Sequence, residues 1–224
     1  MGKKYRNKYL IQSHRMPGWD YGGNGLYFIT LVTQHRECHL GEIVNVDGQK
    51  IMELSDFGRI VQTEWEKSFA IRDEIMADEH IIMPNHLHAI IALEKRDDNV
   101  TPVETHGRAS LREIGRASQR EIGRASQRAT GRTYQPFIRK PKSISSFIAG
   151  FKSAVNSKID DYIDEHRLVI PKYNQQNHFF QPNYYDRVVR NEQEYQRIKK
   201  YIIDNPTKWM DDNFNPLKNN HPGI

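Results

Sequence analysis

In the segment Met83-Pro-Asn-His-Leu-His-Ala-Ile, His86 and His88 stand two residues apart within a run of strand-forming apolar residues. Side chains alternate across a strand, so both imidazoles leave one face and Leu87 leaves the other. Two neutral imidazoles side by side can chelate one divalent cation, and the same spacing suits two polar residues on an open sheet face. A third ligand would separate these readings. Far downstream, in Arg197-Ile-Lys-Lys-Tyr-Ile-Ile-Asp-Asn-Pro, Tyr201 and Asn205 are four apart and share one side of a helix. They flank an apolar stripe of Tyr195, Ile198 and Ile202, at the border where a docked helix meets its support. Taken singly, Tyr201 reads as a boundary tyrosine packing by its ring and Asn205 as a cap before Pro206.

The elements that must position these residues are legible from periodicity and punctuation. GLYFITLVTQ (25–34) reads as a first strand after a glycine-rich turn, and EIVNVDGQKIMEL (42–54) as a hairpin around Asp47-Gly48. Ser55 can cap a helix carrying Ile60, Val61, Trp65 and Phe69 at helical spacing. The runs 74–83 and 86–93, parted by Pro84-Asn85, read as adjacent antiparallel strands. Ser143 opens a long amphipathic helix through Phe147, Phe151, Val155, Ile159 and Ile163, and a second helix runs from about Asn191 to Asp204, stopped by Pro206. This order predicts an α+β domain, an antiparallel sheet covered by helices. At 224 residues, a single domain spanning 1–224 is expected.

The net charge of +5 is a weaker pointer to nucleic acid than it looks. Residues 107–132 contain seven arginines and two glutamates, a net +5 that leaves the rest of the chain neutral. That window is an octapeptide repeat, GRASLREI, GRASQREI, GRASQRAT, too poor in apolar residues for a core of its own. It reads as a flexible arginine-rich insertion at about 96–142. Cys38 is the only cysteine, which excludes an intrachain disulfide and a thiolate metal cage and favours a reducing compartment. No stretch is apolar for long enough to span a bilayer, so a cytoplasmic, nucleoid-associated protein is expected.

Three segments carry a resemblance: WDYGGNGLYFITLVTQHRECHLGEI, DEHIIMPNHLHAIIAL and HFFQPNYYDRVVRNEQEYQRIKKYIIDNP. In this order, and with the repeat excluded, the sequence resembles the HUH-type single-tyrosine transposases, in particular the REP-associated tyrosine transposase branch. The resemblance implies a ferredoxin-like or RRM-like antiparallel sheet with helices packed on it. It makes His86 and His88 metal ligands, Tyr201 the nucleophile, and Asn205 the residue completing the metal site from the nucleophile's own helix. The implied ion is Mg²⁺ or Mn²⁺. The implied chemistry is nicking and rejoining of single-stranded or hairpin DNA through a 5′-phosphotyrosine intermediate, the chemistry of DNA transposition and recombination. The arginine repeat has no counterpart in that family pattern.

Candidate DNA contacts are local clusters of basic and aromatic residues. Near the N-terminus these include Lys4, Arg6, Arg15 and Trp19; before the long helix, Arg139, Lys140 and Lys142; around the nucleophile, Arg187, Arg190 and Lys200. Two other functions remain open at this level: a domesticated hairpin-DNA-binding protein without cleavage, and a metal phosphodiesterase that attacks with bound water. The active unit is expected to be a monomer or a homodimer.

Overall fold

The computed structural model describes residues 20, 22–94, 141–174 and 176–220, with 219 and 220 by backbone alone, together with the backbone of 4–5 and 8–9. The chain divides into one unit of 1–95 with 139–224 and a second of 96–138, and the described residues all belong to the first. The octapeptide repeat thus lies outside the described residues, as do Arg6, Arg15, Trp19, Arg139 and Lys140 and the side chain of Lys4.

Strand β1 (Gly25–Val32) is the centre of the fold. After it come a hairpin of β2 (Gly41–Val46) and β3 (Gln49–Leu54), helix α1 (Asp56–Ala70), strands β4 (Ile75–Met83) and β5 (His86–Leu93), helix α2 (Ile144–Glu165), strand β6 (Tyr185–Val189) and helix α3 (Glu192–Ile203). The main sheet has the order β4-β5-β1-β6, antiparallel throughout. Without the hairpin and α3, this is the βαββαβ arrangement of the ferredoxin-like fold, as expected.

Local chemistry explains the boundaries. Asp47 (φ 51°) and Gly48 (φ 83°) both occupy the left-handed region that a two-residue type I′ hairpin turn requires. Ser55 accepts a hydrogen bond from Gly58 N at 3.0 Å, Asn191 one from Glu194 N at 2.8 Å, and Ser143 forms a reciprocal capping box with Ser146. Residues 185–189 give no strand signal in sequence, because Asp186 and Arg187 interrupt the apolar run. They pair nonetheless as the edge strand beside β1.

The sheet has two covered faces. Tyr27, Ile29, Leu31, Leu87, Ala89 and Ile91 pack under α1 and α2, against Val61, Trp65, Phe147, Phe151 and Val155. On the opposite face, cross-strand register aligns Thr30 with His88 and Tyr185, and Phe28 with Ile90 and Arg187. Ile90 and Val189 there meet Ile198 and Ile202 of α3. The alternative reading of the histidines as two polar residues on an open sheet face is therefore corrected. Helix α3 and the segment after it cover that face, which also accounts for the near-continuous apolar character of β5. Among the described residues no helix is long and apolar enough to cross a membrane.

Candidate functional site

His86 and His88 lie at the start of β5, directly after the Pro84-Asn85 turn, and are 0% and 2% exposed. Burying an imidazole is costly unless its nitrogens find partners. His86 Nδ1 is 2.9 Å from Asn85 Oδ1, and His88 Nδ1 is 2.7 Å from Thr30 Oγ1. His88 Nε2 meets the hydroxyl of Tyr201 at 3.1 Å. His86 Nε2, by contrast, is buried with no hydrogen-bond partner among the described residues.

Tyr201 reaches His88 because α3 docks its Ile198–Ile202 stripe on the sheet, which lays the neighbouring Tyr201 along the border. Phe28 supports both rings, stacked on His88 at 5.3 Å and edge-on to Tyr201 at 6.2 Å between centroids. One side of Tyr201 stays open, with the residue 38% exposed. Asn205 follows one turn later, 1% exposed, its Oδ1 another buried atom without a partner among the described residues. Thus the four residues singled out by sequence occupy one region of the fold.

The structure adds a fifth. After α3 the chain makes short 3₁₀ turns at Trp209–Asp211 and Pro216–Asn220 and returns across the histidines. Phe214 stands 4.9 Å from the His86 ring and Trp209 6.0 Å, and between them Asp212 is brought inward. One ligand atom each from His86, His88 and Asp212 lies within 4.8 Å of the others. Two buried imidazoles, one carboxylate, an orphaned His86 Nε2 and an orphaned Asn205 Oδ1 form a mixed nitrogen and oxygen donor set, which fits a divalent ion of the Mg²⁺ or Mn²⁺ type. Asp212 carries no sequence signal, since it sits in an aperiodic segment and acquires meaning only through the chain's return.

Electrostatics follow from burial. Desolvation pushes His88 down to about 3 and His86 well below its ordinary value, so both imidazoles are neutral, the state in which an imidazole can ligate a cation. Burial raises the Tyr201 phenol; the Asn205 side chain opposes this and the Asp212 carboxylate adds to it. Asp212 is itself raised by burial, opposed by the Phe214 backbone N–H and by the positive charges of Lys218 and Arg36. A cation at this cluster would reverse the pressure on Tyr201, because positive charge favours the phenolate.

Among the candidate DNA contacts, Arg187 projects from the site face of β6 and pairs with Glu194 at 2.6 Å. Lys200 is exposed on α3, 3.5 Å from Asp204, and Arg190 is exposed just past β6. Lys142 is exposed ahead of α2, remote in sequence from α3. Tyr185, unremarked in sequence, lies in the same cross-sheet row as Thr30 and His88, 40% exposed.

No established family profile matches the sequence. A protein of Haemophilus influenzae without an assigned function is 30% identical over 204 residues, covering 90% of this chain and 91% of its own length. The chain belongs to the family of that Haemophilus protein. Two solved structures show looser likeness. A REP-associated tyrosine transposase bound to a REP hairpin is 16% identical, with a TM-score of 0.46 over 92% of this chain and 74% of its own. A Deinococcus radiodurans protein described as a candidate transposase is 14% identical, with a TM-score of 0.36 over 87% of this chain and 97% of its own. At those scores the function of this family member rests on its own residues.

Proposed function

We propose that this chain is a metal-dependent DNA transposase or endonuclease that nicks and rejoins single-stranded or hairpin DNA through a 5′-phosphotyrosine intermediate on Tyr201. The observation that carries this reading is the Tyr201 hydroxyl 3.1 Å from His88 Nε2, beside a cluster of buried His86 and His88 with the partly buried Asp212. A divalent ion held by His86, His88, Asp212 and Asn205 would supply Lewis-acid polarisation of the scissile phosphate. Tyr201 is the nucleophile: its Oη–P bond forms as the P–O3′ bond breaks. The phenolic proton is released and the departing 3′ oxygen takes one up, so one phosphoester replaces another and rejoining needs no ATP. Phe28 packs edge-on against the tyrosine ring and supports it. Tyr201 is 38% exposed at the helix border, where a strand end could approach it. Arg187, Arg190 and Lys200 are proposed to hold flanking phosphates, a role in which surface cations also make binding salt-dependent. The rest of the N-terminal and pre-α2 basic set, Lys4, Arg6, Arg15, Trp19, Arg139, Lys140 and Lys142, is proposed to extend that contact.

A labelled hairpin oligonucleotide incubated with the protein and Mn²⁺ or Mg²⁺ should yield a covalent protein–DNA adduct that survives denaturation. Absence of any adduct, or an adduct formed equally by Tyr201→Phe, overturns the nucleophile assignment. A second reading has one observation in its favour: burial and Asp212 both hold the Tyr201 phenol protonated. Under that reading the cluster serves a phosphodiesterase using water, and cleavage persists in Tyr201→Phe.

A further inference from the structure

Asn85 is 0% exposed in the turn between β4 and β5, and every polar atom of its amide is engaged. Its Nδ2 donates to the carbonyl oxygens of Arg36 and Phe214, both at 2.8 Å. Its Oδ1 faces His86 Nδ1 at 2.9 Å. An amide's oxygen and nitrogen are assigned from their partners, and here the partners leave one solution. Exchanging them would set the oxygen against two carbonyl oxygens. Oδ1 must then be the acceptor toward His86, so His86 Nδ1 carries the hydrogen. A second proton on Nε2 would find no acceptor, because that buried atom has no partner among the described residues.

We propose that Asn85 is a positioning residue: it selects the Nδ1–H tautomer of His86, aims the Nε2 lone pair at the cation cluster, and with the same amide clamps the segment bearing Asp212 over the site. This rests on the reading of His86 as a metal ligand. The backbone reinforces the clamp, since the Asn85 carbonyl accepts from Thr33 N at 2.9 Å and from Thr33 Oγ1 at 3.0 Å. His88 differs in kind. The hydroxyls of Thr30 and Tyr201 can each donate or accept, so these two contacts do not fix its tautomer. One imidazole is fixed by its partners and the other is not. Partners beyond the ligands themselves commonly change metal affinity by about 10–100-fold.

The test is the side-chain ¹⁵N spectrum of the metal-free, full-length protein, with His86 assigned by its loss in His86→Gln, together with Mn²⁺ binding followed by the electron paramagnetic resonance of the free ion. Wild type should show a protonated Nδ1 and a bare Nε2 at His86; a protonated Nε2 overturns the proposal. Asn85→Ala should lose the single tautomer and bind Mn²⁺ about 10–100-fold more weakly. Asn85→Asp, which keeps the acceptor and loses both donors, should retain the Nδ1–H tautomer. If Asn85→Ala folds and keeps both the tautomer and the affinity, the proposal fails; if it does not fold, the wild-type and Asn85→Asp spectra still decide. The tautomer is read without metal or DNA, so a missing covalent adduct and a wrong tautomer are separate failures.

Discussion

The hydroxyl of Tyr201 lies 3.1 Å from Nε2 of His88, a contact across 113 residues of sequence that joins the nucleophile helix to the histidine strand. Because α3 is held by Ile198 and Ile202 rather than by this hydroxyl, Tyr201→Phe should leave the fold almost untouched. Its stability should fall by no more than about 1–3 kcal/mol, the cost of leaving the buried His88 Nε2 without its partner. Adduct formation with hairpin DNA should nevertheless disappear. A folded variant whose loss stays within that range and which forms no adduct supports the assignment, whereas a much larger drop in urea midpoint would make Tyr201 a structural residue.

Acid should destabilise the protein through the two histidines. An unfolded histidine binds a proton near pH ~6.5. Folded His88 does so only near about 3, and His86 is displaced the same way. Between those limits the unfolded chain holds the extra proton, so stability is full above pH ~6.5 and falls with pH by about 1.4 kcal/mol per unit for each group. Asp212, raised by burial, acts in the opposite sense just above the ordinary carboxylate range and offsets part of the loss. Urea denaturation at pH 7.5, 6 and 5 measures the slope. His88→Gln should flatten it, and a flat wild-type profile would mean that the imidazoles are not buried as described.

Most of this geometry is local enough to be read in advance. Serine and asparagine caps, an Asp-Gly turn and 3.6-residue stripes state where the helices and the hairpin begin and end. The pair His86 and His88 and the pair Tyr201 and Asn205 are visible because strand and helix periodicities fix which side chains share a face. Their meeting is not local: the resemblance to tyrosine transposases joins them in sequence, and the docking of α3 on the sheet joins them in space. Strand β6 escaped because five residues containing Asp186 and Arg187 gain their strand character from pairing with β1. Asp212 and the cover formed by Trp209 and Phe214 escaped because 3₁₀ turns impose no period. For the same reason the histidine face looked open.

Asp212→Asn tests the ligand that sequence missed. Ligand binding to the native state stabilises it by RT ln(1 + [L]/Kd), about 2.7 kcal/mol at a hundredfold excess over Kd. If the carboxylate is a ligand, its loss should weaken Mn²⁺ binding about tenfold or more, reducing that stabilisation to about 1.4 kcal/mol. The metal-free variant should be no less stable than wild type, since burial already works against this carboxylate. Thermal shifts at matched Mn²⁺ concentrations measure both quantities. Asn205→Ala should lower the Mn²⁺ response in the same way, and an unchanged response would remove Asn205 from the ligand set.

Two glycines in helices should answer the same substitution with opposite signs. Alanine is favoured over glycine inside a helix by about 1 kcal/mol. At Gly150 of α2, an added Cβ would meet only the end of the Arg72 side chain, at 3.1 Å, which can swing aside. Gly150→Ala should therefore be neutral or stabilising by up to about 1 kcal/mol. At Gly58 of α1 the added Cβ would fall 2.1 Å from the carbonyl oxygen of Leu40 and 3.1 Å from Leu54 Cδ2. That carbonyl accepts the Ser55 backbone N–H at 3.0 Å, so relief by moving it disturbs the cap of α1. Steric cost outweighs propensity there, and Gly58→Ala should destabilise by about 1–3 kcal/mol. Urea midpoints of the two variants, measured side by side, decide the matter. A stabilised Gly58→Ala would show that α1 does not sit this close to the Leu40 carbonyl.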